Sequence, residues 1–275
     1  MKIYAVYRMY YGEDFIEASI CSIYDRMDKI FVFLPGASYG NVCMERVDRS
    51  ADIVKEMAKT MKKITLINNI RYYMDPMNQF TRLYNSYISK YNDRPDAVML
   101  IEPDMVWNDN MLDIYLDKLA STNHADALMA DQIEFWHNHN WVIPYRYRKT
   151  LITHYLGSSD NLKRTDRSGH LPKGFRVVDS TATVNNYGFC VSPRNMKIKC
   201  DLAIKFSEYI GDSIPNPNWY ENKWLAWDPV KNNKNLEISK GYEHLIPYAQ
   251  KGNIILPESL KDHKWNPDIF TPVQD

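Results

Sequence analysis

Apolar segments of two periods alternate through the first hundred residues, and this alternation restricts the fold more than any other feature of the sequence. The short apolar runs, which are typical of buried strands, lie at 2–7, 30–34, 64–67 and 97–101. The stretches with apolar side chains three and four residues apart, as in amphipathic helices, lie at 14–27, 51–62 and 78–91. This order predicts an α/β fold with a mostly parallel central sheet and helices on both faces. Such sheets bind ligands beyond the carboxyl ends of their strands.

The second half of the chain has a weaker pattern. It predicts a strong helix at 109–119 and further helices near 201–210 and 241–249, with an aromatic segment at 219–227. The predicted strands lie near 126–130, 141–145, 175–179, 187–192 and 253–256. We interpret these elements as a smaller mixed sheet that extends the first one. Residues 1–107 and 108–275 would then be two halves of one continuous domain.

Charge and composition narrow the class of protein. The 34 basic and 34 acidic side chains cancel, so overall positive charge does not hold this chain on a nucleic acid. No apolar run approaches the roughly 18 residues that a transmembrane helix needs, and the first residues lack the layout of a signal peptide. The four cysteines have neither zinc-ligand nor redox spacing, which indicates a reducing compartment. We therefore expect a cytoplasmic protein.

Two carboxylates follow the fourth predicted strand directly. They are Glu102 and Asp104, separated by Pro103, which fixes the backbone between them. In extended chain, alternate side chains point the same way, about 6–7 Å apart. Two carboxylates directed into a cleft can hold Mg²⁺ or Mn²⁺ together with substrate phosphates. The alternative is an acidic turn that caps the next helix.

The order of these parts resembles that of a GT-A glycosyltransferase, and most of all glycosyltransferase family two. In that family the loop after the first strand leads into a helix near a Glu-x-x-Ile pattern, and the stretch from Tyr11 to Glu17 is similar. The family's Arg-x-x-Asn-like helix motif is matched in place by Arg82 and Asn85. Where the family has Asp-x-Asp after the fourth strand, this chain has the Glu-Pro-Asp sequence. The resemblance covers residues 2–107 well and the rest loosely.

This resemblance implies a nucleoside-diphosphate sugar as donor, most often a UDP-sugar, with Mn²⁺ or Mg²⁺ as cofactor. Residues 1–107 would bind the nucleotide-sugar, and 108–275 would bind the acceptor and carry the catalytic base. The implied donor-binding residues are Tyr7, Arg8, Arg82, Asn85, Glu102 and Asp104, and the last two would also bind the metal. The turn at 34–38 lacks the acidic residue with which the family reads uracil, so the nucleobase stays open.

The resemblance also suggests a third metal ligand and a catalytic base. His263 is placed like the late histidine that completes the metal shell in many GT-A enzymes; the alternative is an exposed histidine in a polar tail. The family's base corresponds to Asn222, which cannot accept a proton. Either Glu221 or Asp228 serves instead, or the enzyme retains configuration and needs no such base.

The acceptor side is implied by two groups of residues. The resemblance suggests Tyr187, Gly188, Trp219 and Trp224, although core packing would equally explain the tryptophans. The segment 144–176 has eight basic and two acidic side chains, and Arg146, Arg148 and Lys149 are the first of its cations. Such a segment suits a phosphorylated or polyanionic acceptor, either a lipid-linked glycan or hydroxymethylated DNA bases as in bacteriophage enzymes, or an anionic membrane surface. The phage reading would place the protein in the host cytoplasm. The alternative is a mobile surface loop.

Three classes of function remain open from the sequence. A metal-dependent glycosyltransferase that moves a hexosyl or pentosyl group to a hydroxyl is the leading hypothesis. A nucleotidyltransferase on a similar sheet would normally have a glycine-rich phosphate loop after the first strand, and Arg8-Met9-Tyr10-Tyr11-Gly12 is not one. A non-catalytic module that binds nucleotide-sugar or carbohydrate is the third hypothesis, because the turn at 34–38 and Asn222 depart from the family.

Overall fold

The computed structural model divides the chain into two compact units. Unit 1 comprises residues 1–132 and 147–184, and unit 2 comprises 133–146 and 185–275. The structure describes residues 1–9, 11–35, 38–39, 42–43, 48–70, 95–122, 127–144, 148–154, 176–210, 215–238, 246, 248–252 and 255–263. Two long strands, β8 (Ala127–Trp136) and β11 (Val177–Phe189), run from one unit into the other. In the described part of the chain, no helix is both long and apolar enough to span a bilayer.

Four parallel strands form the centre of unit 1. They are β1 (Ile3–Arg8), β2 (Lys29–Pro35), β5 (Ile64–Ile70) and β6 (Ala97–Ile101). β1 lies between β2 and β6, so that Tyr4 pairs with Lys29 on one side and with Val98 on the other. β5 pairs with the outer edge of β2. These strands are apolar along most of their length because both faces of the sheet are covered.

The first two predicted helices are confirmed, and the third, at 78–91, lies outside the described residues. The first, α1 (Ile16–Ile23), continues as a short 3₁₀ turn at Tyr24–Arg26, and α2 (Ser50–Thr60) precedes β5. A two-stranded ribbon, β3 (Ser38–Tyr39) and β4 (Val42–Cys43), lies between β2 and α2. After β6 come β7 (Met105–Val106) and α3 (Asp109–Ser121), whose Tyr115 hydroxyl donates a 2.6 Å hydrogen bond to the carbonyl oxygen of Leu128.

Antiparallel strands extend the parallel sheet within unit 1. β10 (Arg148–His154) pairs with β6 and also with β8, so the order is β8-β10-β6-β1-β2-β5. The predicted α/β fold class is therefore confirmed: a central sheet of four parallel strands is extended by antiparallel strands. The sequence analysis predicted no strand at β10 and offered a mobile loop as one alternative for this stretch. It was wrong about 175–179 and 187–192, which belong to the single strand β11.

Unit 2 is built around aromatic side chains. Its strands are the end of β8, β9 (Asn138–Val142) and β12 (Gln250–Lys251), which pair in antiparallel order. Its helices are α4 (Pro193–Ile210), a π-helix at Tyr220–Leu225 and a 3₁₀ turn at Glu258–Leu260. The rings of Phe135 and Tyr187 are stacked 4.4 Å apart, and Trp136 meets Trp219 edge-on at 5.9 Å. The last strand predicted at 253–256 is not confirmed: residues 255–256 are not strand, and 253–254 lie outside the described residues, as does most of the predicted helix at 241–249.

Candidate active site at the carboxyl end of the sheet

The turn after β6 carries the two carboxylates that the sequence analysis singled out. Glu102 and Asp104 are partly exposed, whereas Pro103 between them is buried. The Met105 amide donates a 3.1 Å hydrogen bond to the Glu102 carbonyl oxygen, which closes the turn before β7 begins. Both acids thus lie at the carboxyl end of β6, next to the central strand β1. Parallel α/β sheets bind their ligands at this edge.

Helix α1 fixes this turn through two buried serines. Ser19 Oγ donates a 2.5 Å hydrogen bond to the Met105 carbonyl oxygen, and Ser22 Oγ accepts a 3.1 Å bond from the Trp107 amide. Ser22 also donates to the Ser19 carbonyl oxygen, 2.8 Å away. The backbone that follows the two carboxylates is therefore held by Ser19 and Ser22, whose hydroxyl groups each take part in more than one hydrogen bond. Such networks restrict the backbone to one geometry.

The loop after β1 packs directly against Pro103. A Cβ atom placed on Gly12 would lie 2.4 Å from the Pro103 Cβ, so no larger residue fits without movement. The Gly12 carbonyl oxygen accepts hydrogen bonds from the Phe15 and Ile16 amides, 3.1 and 2.9 Å away, and thereby begins α1. Gly12 thus joins the loop, the helix and the turn that carries the acids. A glycine is needed here because the Pro103 ring lies close against its backbone.

Asp48 connects the same loop to the start of α2, and the sequence analysis missed it. Its Oδ2 accepts hydrogen bonds from the Gly12 amide at 2.6 Å and the Glu13 amide at 3.1 Å. Its Oδ1 accepts bonds from the Ser50 amide at 3.2 Å and the Ser50 hydroxyl at 2.6 Å. An acid just before an amphipathic helix is an N-cap signal, and this could have drawn attention to Asp48. Its bonds to a loop 36 residues earlier have no sequence signal.

The predicted donor-binding residues differ in their surroundings, and the structure does not describe all of them. Tyr7 is fully buried, and its hydroxyl lies 3.0 Å from Ser19 Oγ. Since Ser19 donates its only proton to Met105, the Tyr7 hydroxyl must donate to Ser19. Burial raises the pKa of Tyr7 well above its ordinary value. Direct contact with a nucleotide would therefore require this packing to open. Arg8 is the last residue of β1, and Arg82 and Asn85 lie outside the described residues.

The two carboxylates of the turn fit a divalent cation that is shared with a substrate. Carboxylate oxygens are the ligands that Mg²⁺ and Mn²⁺ prefer. Throughout the part of the chain that the structure describes, no three His, Cys, Asp or Glu side chains form a closed metal site. Two carboxylates suit a Mg²⁺-type ion, which commonly takes its other ligands from substrate phosphates and water.

His263, the predicted third ligand, lies in unit 2 beside a second histidine. Its ring is stacked on that of His139, with ring centres 6.0 Å apart. Burial, and to a smaller extent the neighbouring His263, lowers the pKa of His139 to about 3, so this imidazole is neutral at neutral pH. The His263 amide donates to the Leu260 carbonyl oxygen, which ties it to the 3₁₀ turn. Its role as a metal ligand stays a prediction.

The two candidate bases differ in their surroundings. Glu221 is an exposed residue of the π-helix. Asp228 caps a turn, because its Oδ1 accepts hydrogen bonds from the Val230 and Lys231 amides at 2.8 and 2.9 Å. These two bonds lower the pKa of Asp228, and the bond from the Lys231 amide contributes most. A carboxylate with a lowered pKa is a weaker base, which argues against Asp228 in this role.

The predicted acceptor-binding residues of unit 2 are buried. Tyr187 and Gly188 lie inside β11, and the Gly188 carbonyl oxygen accepts a 2.7 Å bond from Lys199 Nζ. Trp219 and Trp224 are core residues whose indole N–H groups donate to the carbonyl oxygens of Leu236 and Phe189, both at 2.9 Å. Among the predicted cations, Arg148 and Lys149 begin β10, and Arg146 lies outside the described residues.

Comparisons with known proteins find likeness in structure only. No family model matches the chain, and no curated protein matches its sequence. Among solved structures, glucosyl-3-phosphoglycerate synthase from Mycobacterium tuberculosis, in complex with Mn²⁺, UDP and phosphoglyceric acid, is 12% identical, with a TM-score of 0.32. That match covers 48% of this chain and 43% of the synthase, so the chain spans less than half the length of that protein.

Two further structures show the same degree of likeness. TarS from S. aureus is 11% identical over 80% of this chain and 68% of that one, with a TM-score of 0.34. The 4-diphosphocytidyl-2C-methyl-D-erythritol synthase from Anaerococcus prevotii is 11% identical over 70% and 91%, with a TM-score of 0.38. Likenesses this distant say nothing about activity. The fold of the chain is described by its own strand order rather than by these matches.

Proposed function

We propose that this protein is a metal-assisted glycosyltransferase, which moves a sugar from a nucleoside-diphosphate donor to an acceptor hydroxyl. The observation that carries the proposal is the pair of partly exposed acids, Glu102 and Asp104, at the carboxyl end of the strand beside β1. Their turn is fixed by α1, and the loop after β1 packs on the proline between them. A rigid pair of carboxylates at this edge suits the metal-diphosphate of a nucleotide-sugar.

In this proposal each described part has a separate task. Glu102 and Asp104 hold the cation, which when bound neutralises the charge that develops on the diphosphate leaving group. The loop at Gly12 and Glu13 borders the diphosphate. An inverting reaction also needs a carboxylate that accepts the proton of the acceptor hydroxyl. Most of the rate would come from positioning and from stabilising the leaving group.

The finer features of the proposal come from the sequence. UDP is the proposed nucleotide, and the transferred group is a hexosyl or pentosyl unit. The basic segment 144–176 favours a phosphorylated or polyanionic acceptor, such as a lipid-linked glycan or modified DNA. A cytoplasmic location suits the free thiols of Cys21, Cys190 and Cys200.

The test is release of UDP from UDP-sugars in the presence of Mn²⁺, compared between wild type and Asp104→Asn. Loss of a metal ligand removes several kcal/mol of transition-state stabilisation, so we expect a fall in turnover of roughly 100-fold or more. Glu56→Gln, a change to an exposed acid on α2, is the matched control and should leave turnover unchanged. Full turnover by Asp104→Asn would overturn the mechanism. Release of pyrophosphate from nucleoside triphosphates, without sugar transfer, would indicate a nucleotidyltransferase instead.

A further inference from the structure

We propose that Asp48 is a positioning residue for donor binding, which holds the loop after β1 against the turn that carries Glu102 and Asp104. The inference rests on the proposed function, because it takes this loop and this turn to border the donor diphosphate. The proposed role of Asp48 does not require contact with either acid. It acts through Gly12, the residue at which the loop meets Pro103.

The carboxylate of Asp48 is divided between two elements. One oxygen accepts from the Gly12 and Glu13 amides of the loop, and the other accepts from the amide and hydroxyl of Ser50 at the start of α2. A second bond runs in the opposite direction, since Glu13 Oε2 accepts a 2.8 Å bond from the Arg49 amide. The loop and the helix start therefore hold one another through two acids.

This clamp determines where Gly12 lies. The Gly12 amide is bound by Asp48, its carbonyl oxygen begins α1, and its Cα faces the Pro103 ring at close approach. Contact with the Pro103 ring blocks a shift of Gly12 toward the turn, and the 2.6 Å bond to Asp48 restrains the Gly12 amide. The clamp thus sets the distance between the loop and the two carboxylates.

The chemistry of the clamp requires a carboxylate. All four partners of Asp48 are donors in this arrangement, and an amide offers only one acceptor oxygen. In Asp48→Asn the NH₂ group must face either the loop amides or the Ser50 amide, and in both cases N–H groups oppose one another. Ser50→Ala removes a bond on the helix side of the clamp and leaves the two bonds to the loop in place. It is therefore the matched control for any general loosening of α2.

The experiment measures two quantities on the full chain: amide hydrogen exchange at Gly12 and Glu13, and binding of UDP with Mn²⁺ by calorimetry. We expect both amides to lose protection against exchange in Asp48→Asn. The variant should bind UDP roughly tenfold more weakly, since a hydrogen bond to a charged group contributes a free energy that corresponds to this factor or more. Ser50→Ala should keep the protection and bind UDP like wild type. The KM for the acceptor should not change in either variant.

The outcomes separate this inference from the proposed function. If wild type binds no UDP, the proposed function fails, and the amide exchange still reports whether Asp48 holds the loop. Unchanged protection in Asp48→Asn, or UDP binding equal to that of Ser50→Ala, would overturn the positioning role. Should Asp48→Asn not fold, Glu13→Ala tests the same clamp through its second bond: faster exchange of the Gly12 amide at the same fold supports the role, and unchanged exchange contradicts it.

Discussion

At the scale of single residues, the candidate site depends on a short chain of buried hydrogen bonds. Tyr7 donates to Ser19, Ser19 donates to the Met105 carbonyl oxygen, and Ser22 receives the Trp107 amide. Each hydroxyl therefore fixes the orientation of the next. The turn with the two carboxylates is preorganised by residues that would not themselves contact a substrate.

Ser19→Ala removes two hydrogen bonds from this chain and leaves the Tyr7 hydroxyl and the Met105 carbonyl oxygen buried. We expect a loss of about 1–3 kcal/mol in the free energy of unfolding, measured by urea denaturation. Tyr7→Phe should cost less, because the Ser19 bond to Met105 survives. The two losses should not add in the double variant, since they share a bond. Additive losses would contradict the chain of bonds described here.

Gly12→Ala places a methyl group against Pro103, 2.4 Å from its Cβ. The loop and the turn must move apart, so we expect a loss of roughly 1–3 kcal/mol in stability, the usual range for overpacking. UDP binding with Mn²⁺ should weaken as well. Thermal unfolding and calorimetry measure the two effects. A variant as stable as wild type would contradict the close contact between Gly12 and the Pro103 ring.

At the scale of helices and strands, the sequence predicted the parallel half well and the rest poorly. The strands at 30–34 and 97–101 are buried on both faces, so their apolar runs stand out. β10 has no such signal, because it begins with Arg148 and Lys149 and its pairing with β6 is a long-range property. The two predicted strands within β11 were separated by polar residues that still lie in one continuous strand.

The candidate site was predictable to a similar extent. Glu102 and Asp104 were found because they follow a buried strand, a local pattern. Asp48 was missed because its importance comes from bonds to a distant loop. Trp219 and Trp224 were assigned to the acceptor from resemblance, and the alternative of core packing describes them in the structure. Composition alone cannot tell whether an aromatic side chain faces a core or a ligand.

The π-helix at Tyr220–Leu225 gives an element-scale test. Its Trp224 packs on the ring of His137, 4.8 Å away, and donates to the Phe189 carbonyl oxygen. Trp224→Phe keeps an aromatic ring and removes this donor, so we expect a loss of about 1–3 kcal/mol in stability. Leu225→Ala, at an exposed position of the same element, should change stability little. Equal effects of the two changes in denaturant unfolding would argue against a core role for Trp224.

At the scale of the whole molecule, the two units have interiors of different chemistry. Unit 1 has a largely aliphatic core around its parallel strands, whereas unit 2 encloses tryptophan, tyrosine and histidine. When a histidine buried among apolar rings becomes charged, the folded state loses stability. The aromatic unit should therefore respond to acid in the pH range in which an unfolded histidine titrates.

His137 makes this expectation specific. Burial lowers its pKa below the ordinary value of 6.5. The unfolded chain then binds a proton that the folded chain does not, so stability is fully present above pH 6.5 and falls as the pH drops toward the folded pKa. His137 has a φ of 64°, which asparagine tolerates. In His137→Asn, unfolding by urea at several pH values should show a shallower acid loss than in wild type; an identical slope would contradict the assignment.

The place of β1 in the middle of the sheet has a consequence for biosynthesis. This strand gains one neighbour from 29–35 and the other only from 97–101. At usual translation speeds the ribosome needs about 3–13 s to make the intervening stretch. Throughout that interval one edge of β1, the strand that later lies in the middle of the sheet, is unpaired and apolar in the nascent chain. Chaperones would be most useful to the protein during this period.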